Sequence, residues 1–161
     1  MTGVLNRPLR RIVKPNTTPA AGGVFSFIPN KDGGWLFKSL RFLFTTDANA
    51  ATRQVFLQAL RGDDVYMQVP ANNSQIASRA DVYSWIPGTS GGPLITGMLS
   101  IDCPTDGLYL PRGHVLQAAV SNIQVGDTFS LVVASVIEYP DGPDRELWPY
   151  GPGVFSPQDM D

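Results

Sequence analysis

Apolar and polar residues alternate along most of this chain, and no long segment repeats apolar residues at i, i+3, i+4 and i+7. Alternation with period two marks strands half buried on a sheet. Residues 23–28 predict a first strand, closed by the turn sequence Pro29-Asn30-Lys31-Asp32-Gly33-Gly34. Residues 35–46 predict the longest strand. Its expected core face is Leu36, Lys38, Leu40, Phe42 and Phe44, with Phe37, Ser39, Arg41, Leu43 and Thr45 opposite. Residues 53–60 follow, with Val55, Leu57 and Ala59 on one face and Gln54, Phe56 and Gln58 on the other. Arg61-Gly62-Asp63 reads as a tight hairpin. The chain returns through 64–69 with Val65, Met67 and Val69 inward, and Pro70 ends that strand. Residues 71–80 read as a loop or one helical turn. Further strands are expected at 81–86, 94–101, 114–120 and 128–139, with turn signals between them. The last is apolar on both faces, which predicts a central strand covered on both sides.

The two ends differ from this body at 22–139. Residues 1–21 carry Arg7, Arg10, Arg11 and Lys14, no acid, and three interrupting prolines. They predict an extended basic arm with at most a short strand near 11–13. Residues 140–161 carry five prolines, five acids against Arg145 alone, and Trp148, Tyr150 and Phe155. Such an acidic, aromatic tail predicts partner contacts. About eight short strands at this spacing predict an all-β fold: a single antiparallel β-sandwich or jelly roll with extended N- and C-terminal arms.

Composition narrows the function. The 161 residues fit one domain, long enough to bury a core without staples. Charged residues are 16% of the chain and apolar ones 43%, which excludes a disordered chain or a coiled coil. A net charge of −2 gives no overall bias toward nucleic acid. Cys103 and His114 are the only residues of their kinds, so an intrachain disulfide, a multi-cysteine site and a histidine-rich zinc site are excluded. No apolar run spans a bilayer, and none follows the basic N-terminal residues, so neither a membrane segment nor a signal peptide is expected.

Candidate chemistry centres on Gly88-Thr89-Ser90-Gly91-Gly92-Pro93-Leu94. That run resembles the nucleophile loop of chymotrypsin-like proteases and also fits Gly-x-Ser-x-Gly. In the protease family a histidine precedes the serine; here none does, and Thr89 replaces the motif's Asp. The order Ser90, Asp102 or Asp106, His114 suits the other motif, yet no βαβ pattern exists to hold such an elbow. A glycine-rich loop between strands is the plainer reading, and no catalytic residue, metal or cofactor is expected. Asp63, Asp64, Asp102, Asp106 and Asp127 read as turn residues, and His114 as a half-buried, hydrogen-bonded residue.

Three segments carry a family resemblance. LRFLFTTDANAATRQVFLQAL at 40–60, VYMQVPANNSQIASRADVYSWIPG at 65–88 and LPRGHVLQAAVSNIQVGDTFSLVVASVIEY at 110–139 are similar to small all-β virion proteins of tailed bacteriophages. The resemblance spans roughly 36–139 and implies a structural role on the particle. A capsid decoration or cement protein on the head surface is the first expectation, binding the major capsid protein and copies of itself as a homotrimer. A neck, tail or head-fibre component is the alternative within the virion. Arg7, Arg10, Arg11 and Lys14 are then candidate partner contacts of the arm, and Trp148, Tyr150 and Phe155 those of the tail. No nucleic acid is expected as partner. The alternative from another class is a carbohydrate-binding β-sandwich, with Trp35, Trp85 and Trp148 stacking on a glycan.

Overall fold

The computed structural model describes residues 8–17, 19–29, 33–87, 98–101 and 106–140. The chain is all-β, with no helix among the described residues. Ten strands follow in order among the described residues: β1 (Leu9–Val13), β2 (Ser26–Phe27), β3 (Gly33–Thr45), β4 (Gln54–Arg61), β5 (Asp64–Pro70), β6 (Ala80–Trp85), β7 (Met98–Ile101), β8 (Leu108–Leu110), β9 (His114–Ser121) and β10 (Thr128–Pro140).

They form two sheets. The first has the order β1-β10-β3-β6-β7, with β8 also paired to β3; the second is β2-β9-β4-β5. Every pairing is antiparallel except β6 with β7. The pairs β1·β10, β2·β9, β3·β6 and β4·β5 nest as in one long hairpin, and β10·β3 and β9·β4 join neighbouring layers of it. Most pairings therefore link residues far apart in sequence, and burial rather than local propensity must select them.

One apolar core lies between the sheets. Aromatic rings dominate it. Phe25 meets Phe42 at 5.1 Å and Phe129 at 5.2 Å between centroids, and Phe27 meets Phe37 at 5.6 Å. These edge-on contacts carry the segment around the very short β2 onto the opposite sheet. The expected inward residues Val55, Leu57 and Ala59 are fully buried.

Three one-residue bulges overturn other expectations, because an extra residue moves every later side chain to the opposite face. In β3, Phe37 lies opposite Val136 and Ser39 opposite Ser135, so Lys38 is the extra residue. Trp35 and Phe37 accordingly face the core ahead of it, and Leu40, Phe42 and Phe44 behind it. Leu36, expected on the core face, is buried at 3% exposure but lies outside that cluster, and Lys38, expected there too, is the bulged residue and only partly buried. In β5, Tyr66 is extra, since Ala59 pairs with Met67 and Leu60 with Val65. Met67 and Val69 still pack on the core, but Val65, expected inward, is 47% exposed. In β10, Leu131 and Val132 together oppose Phe42. β10 is an interior strand as expected, yet its outer side is not fully covered: Leu131 is 78% exposed.

Other differences are smaller. The strand expected at 23–28 is only Ser26–Phe27. β8 is a strand where only flanking turns were expected. Residues 71–79 are a loop tied down by bridges of Arg53 with Gln75 and Ala71 with Ile101. Residues 9–13, within the stretch read as a basic arm, are built into the first sheet as β1.

Candidate functional site

One end of the molecule is locked by a buried charge cluster. Arg53 and Asp127 stand at or beside strand starts, where β4 and β10 begin. The Arg53 guanidinium is fully buried. It donates to both Asp127 carboxylate oxygens at 3.0 Å, to Asp47, and to the carbonyls of Asn49 and Ala51. Asp127 also accepts from the Asp47 and Gln124 backbone N–H groups. Its hydrogen bonds with Asp127 hold Arg53 charged beyond its ordinary range, against the opposing effect of burial. Burial alone would push Asp127 up; the Arg53 and backbone N–H groups together outweigh it and hold the carboxyl low. Asp127 was read as a turn residue, and its role as the partner of a buried arginine was not anticipated. Gln75 extends the lock. Its amide donates to the carbonyls of Phe44 and Arg79 and accepts from the Tyr83 hydroxyl. These contacts satisfy the donors buried with them, so the cluster serves structure.

The hydrolase constellation does not come together among the described residues. Ser90, Asp102 and Cys103 lie outside them. His114 Nδ1 is 3.1 Å from the Tyr66 hydroxyl, and burial and the nearby Arg61 lower its pKa. The Asp106 carbonyl accepts from Lys38 Nζ. Asp63 and Asp64 are exposed around a hairpin whose Gly62 has φ +61°. No group of three or more His, Cys, Asp or Glu among the described residues is arranged to hold a metal. Nor is any helix among them long and apolar enough to cross a membrane.

Of the candidate partner contacts, Arg7, Trp148, Tyr150 and Phe155 lie outside the described residues. Arg10, Arg11 and Lys14 are exposed on or beside β1. Arg11 Nε lies 2.6 Å from Glu138 on β10, so this charge is paired within the chain. Lys14 lines a shallow hollow of about 300 Å³ with Pro15, Pro19 and Leu131. Arg41 lines a second hollow of about 260 Å³, again with Leu131. Leu131 has φ +51°, a conformation that costs a bulky L-residue about 1–2 kcal/mol. A strained, exposed leucine between two hollows, each bearing a cation, is a surface feature the alternation pattern did not reveal.

The outer face of the second sheet is the other feature that sequence reading missed. Three rows cross it. Gln58 pairs in register with Gln68 on β5 and Gln117 on β9, and Gln117 with Ser26 on β2. Gln58 Nε2 donates to Gln68 Oε1 at 2.6 Å, and Gln117 Nε2 to Gln58 Oε1 at 3.2 Å. On one side of this amide row stand Val65, Leu60 and Val115; on the other, Pro70, Phe56 and Ala119. Gln54 and Ser121 complete the face, and no charged side chain stands on it. By contrast, Trp35 and Trp85, two of the three tryptophans expected to stack on a glycan, are both buried, and the third, Trp148, lies outside the described residues.

No family model matches the chain, and neither a curated protein nor a solved structure was found to be similar to it.

Proposed function

We propose that this chain is a jelly-roll structural protein of a tailed-bacteriophage virion, acting as a capsid decoration or cement protein. The observation that carries the fold part of this reading is the nested strand order. β1-β10-β3-β6 and β2-β9-β4-β5 are the two sheets that a single long hairpin makes when rolled up, with β7 and β8 added in the connection between β6 and β9. A jelly roll by itself names no function. The virion assignment comes from the resemblance of residues 36–139 to small virion proteins, and the surface supports it.

A cement protein needs a rigid body and several modest contact surfaces. The buried Arg53–Asp127 pair and the aromatic core supply rigidity. Arg10, Lys14, Arg41 and Leu131 offer a basic and apolar contact region on the first sheet. Several such contacts to shell subunits, made together, hold far more tightly than any one alone.

The test is the copy number of this chain per purified particle, by quantitative mass spectrometry against the major shell protein. Copies comparable to the shell protein are expected. About a dozen copies would instead assign the chain to the neck or tail at a unique vertex. Absence from the particle overturns the reading.

A further inference from the structure

We infer that the acidic, aromatic segment at 141–161 docks on the outer face of the first sheet of its own chain, across β1, β10, β3 and β6. The inference does not rest on the virion reading. Arg10, Ile12, Val133, Arg41, Leu43 and Val82 point outward on this sheet, because the residues that alternate with them pack on the core. Ile12 is 69% exposed. The two charged side chains in this set, Arg10 and Arg41, are both cations. Among the described residues neither lies within ion-pair distance of a carboxylate, nor does Lys14 just past the end of β1. Arg11, on the other side of β1, already has Glu138. A face of apolar side chains and unpaired cations is complementary to a segment that is itself apolar and acidic.

The chain carries such a segment on a tether. Residues 140–161 hold five acids against Arg145 alone, with Trp148, Tyr150 and Phe155 among them. Their net charge is −4, so the rest of this −2 chain is +2. The segment departs from the end of β10, a strand of the face itself. Val133 stands seven residues back along β10 from Pro140, about 23 Å at the usual strand rise. Tyr150 lies ten residues beyond Pro140 and Phe155 fifteen, which reach about 33 and 50 Å when extended. Both rings therefore reach the hollow between Arg41, Leu43, Val82 and Val133, with chain left for the turn. That hollow measures about 260 Å³, and a cavity of about 150 Å³ already admits benzene. Asp144 lies four residues beyond Pro140, and Arg10 stands beside Ile137, three residues before it. Acid and cation are thus matched in reach as well as in sign.

The tether selects this segment over a free partner of the same chemistry. A link of this length holds it at an effective concentration on the order of millimolar. An untethered acidic ligand of equal affinity competes only above that concentration. Any partner that uses these cations, a capsid shell included, must displace the segment first.

The test is paramagnetic broadening in NMR spectra of the full chain. Ser156→Cys, combined with Cys103→Ser, places a single nitroxide beside Phe155. The amides of Ser39, Arg41 and Val133 should lose intensity, while those of Gln58 and Gln117 on the other sheet should keep it. Arg10→Glu with Arg41→Glu should abolish that loss; both side chains are exposed, so the fold tolerates the change. Adding Asp144→Lys and Glu146→Lys to that variant should bring the loss back, because opposite charges again face each other. Mixing spin-labelled copies with isotope-labelled copies that lack the nitroxide separates a contact within one chain from one between chains. Full-strength amides on this face in the otherwise unaltered chain overturn the inference. So does broadening that ignores the charge variants, or broadening that is equally strong in the mixture.

Discussion

Leu131 carries a cost that its own contacts do not explain. Its φ of +51° is worth about 1–2 kcal/mol of strain in a residue with a Cβ. Replacing it with glycine removes that strain but adds about 0.5–1 kcal/mol of unfolded-state entropy. Leu131→Gly should therefore leave stability unchanged or raise it by up to about 1.5 kcal/mol, measured by urea denaturation. A clear loss would show that the exposed side chain packs within the fold. At Asp127 the expectation is the reverse. Removing one partner of a buried ion pair strands the other, so Asp127→Ala should cost about 3 kcal/mol or more. The pH dependence follows from the directions of the shifts. Asp127 is held below 3.8 in the fold, so its contribution is complete above that value and is lost as pH falls toward the folded one. His114 is held below 6.5, so the fold favours its neutral form and loses stability as pH falls below 6.5 toward its folded value. Urea midpoints from pH 8 to 3 should fall in two stages. His114→Gln should remove the upper stage and Asp127→Asn should shrink the lower; a wild-type profile in both variants would contradict this.

At the scale of the element, alternation identified the strands well but not which side of each faces inward along its whole length. β4 has no bulge of its own, and its predicted face is the observed one. β3, β5 and β10 each contain an extra residue, and nothing in KSL, VYM or SLV announces it. A bulge is decided by what packs opposite, through partners distant in sequence. One such packing is testable. A Cβ on Gly34 would overlap the Tyr109 ring, which also lies edge-on to Tyr139 at 6.1 Å. Gly34→Ala should destabilise by about 1–3 kcal/mol through overpacking. In a double-mutant cycle, Tyr109→Ala should absorb most of that loss. Additive penalties would mean that the two side chains do not compete for one space.

For the whole molecule, fold class was legible because turn signals and period-two patterning are local. The candidate site was not. Gln58, Gln68 and Gln117 form one row only after three strands take their register, and no local pattern relates positions so far apart. The same holds for Arg53 and Asp127, which sit 74 residues apart and meet only when β4 and β10 are both in place. The nesting also has a consequence for biosynthesis. Leu9 pairs opposite Glu138, so the first strand waits for the last. At translation rates of about 5–20 residues per second, that wait is roughly 6–25 seconds. For most of it, Phe25, Phe27 and Phe42 have emerged while Phe129, which completes their aromatic cluster, has not. The nascent chain therefore passes through a long stage with its stickiest rings uncovered. Its yield in a cell should depend on chaperone supply and growth temperature more than the stability of the finished protein would suggest.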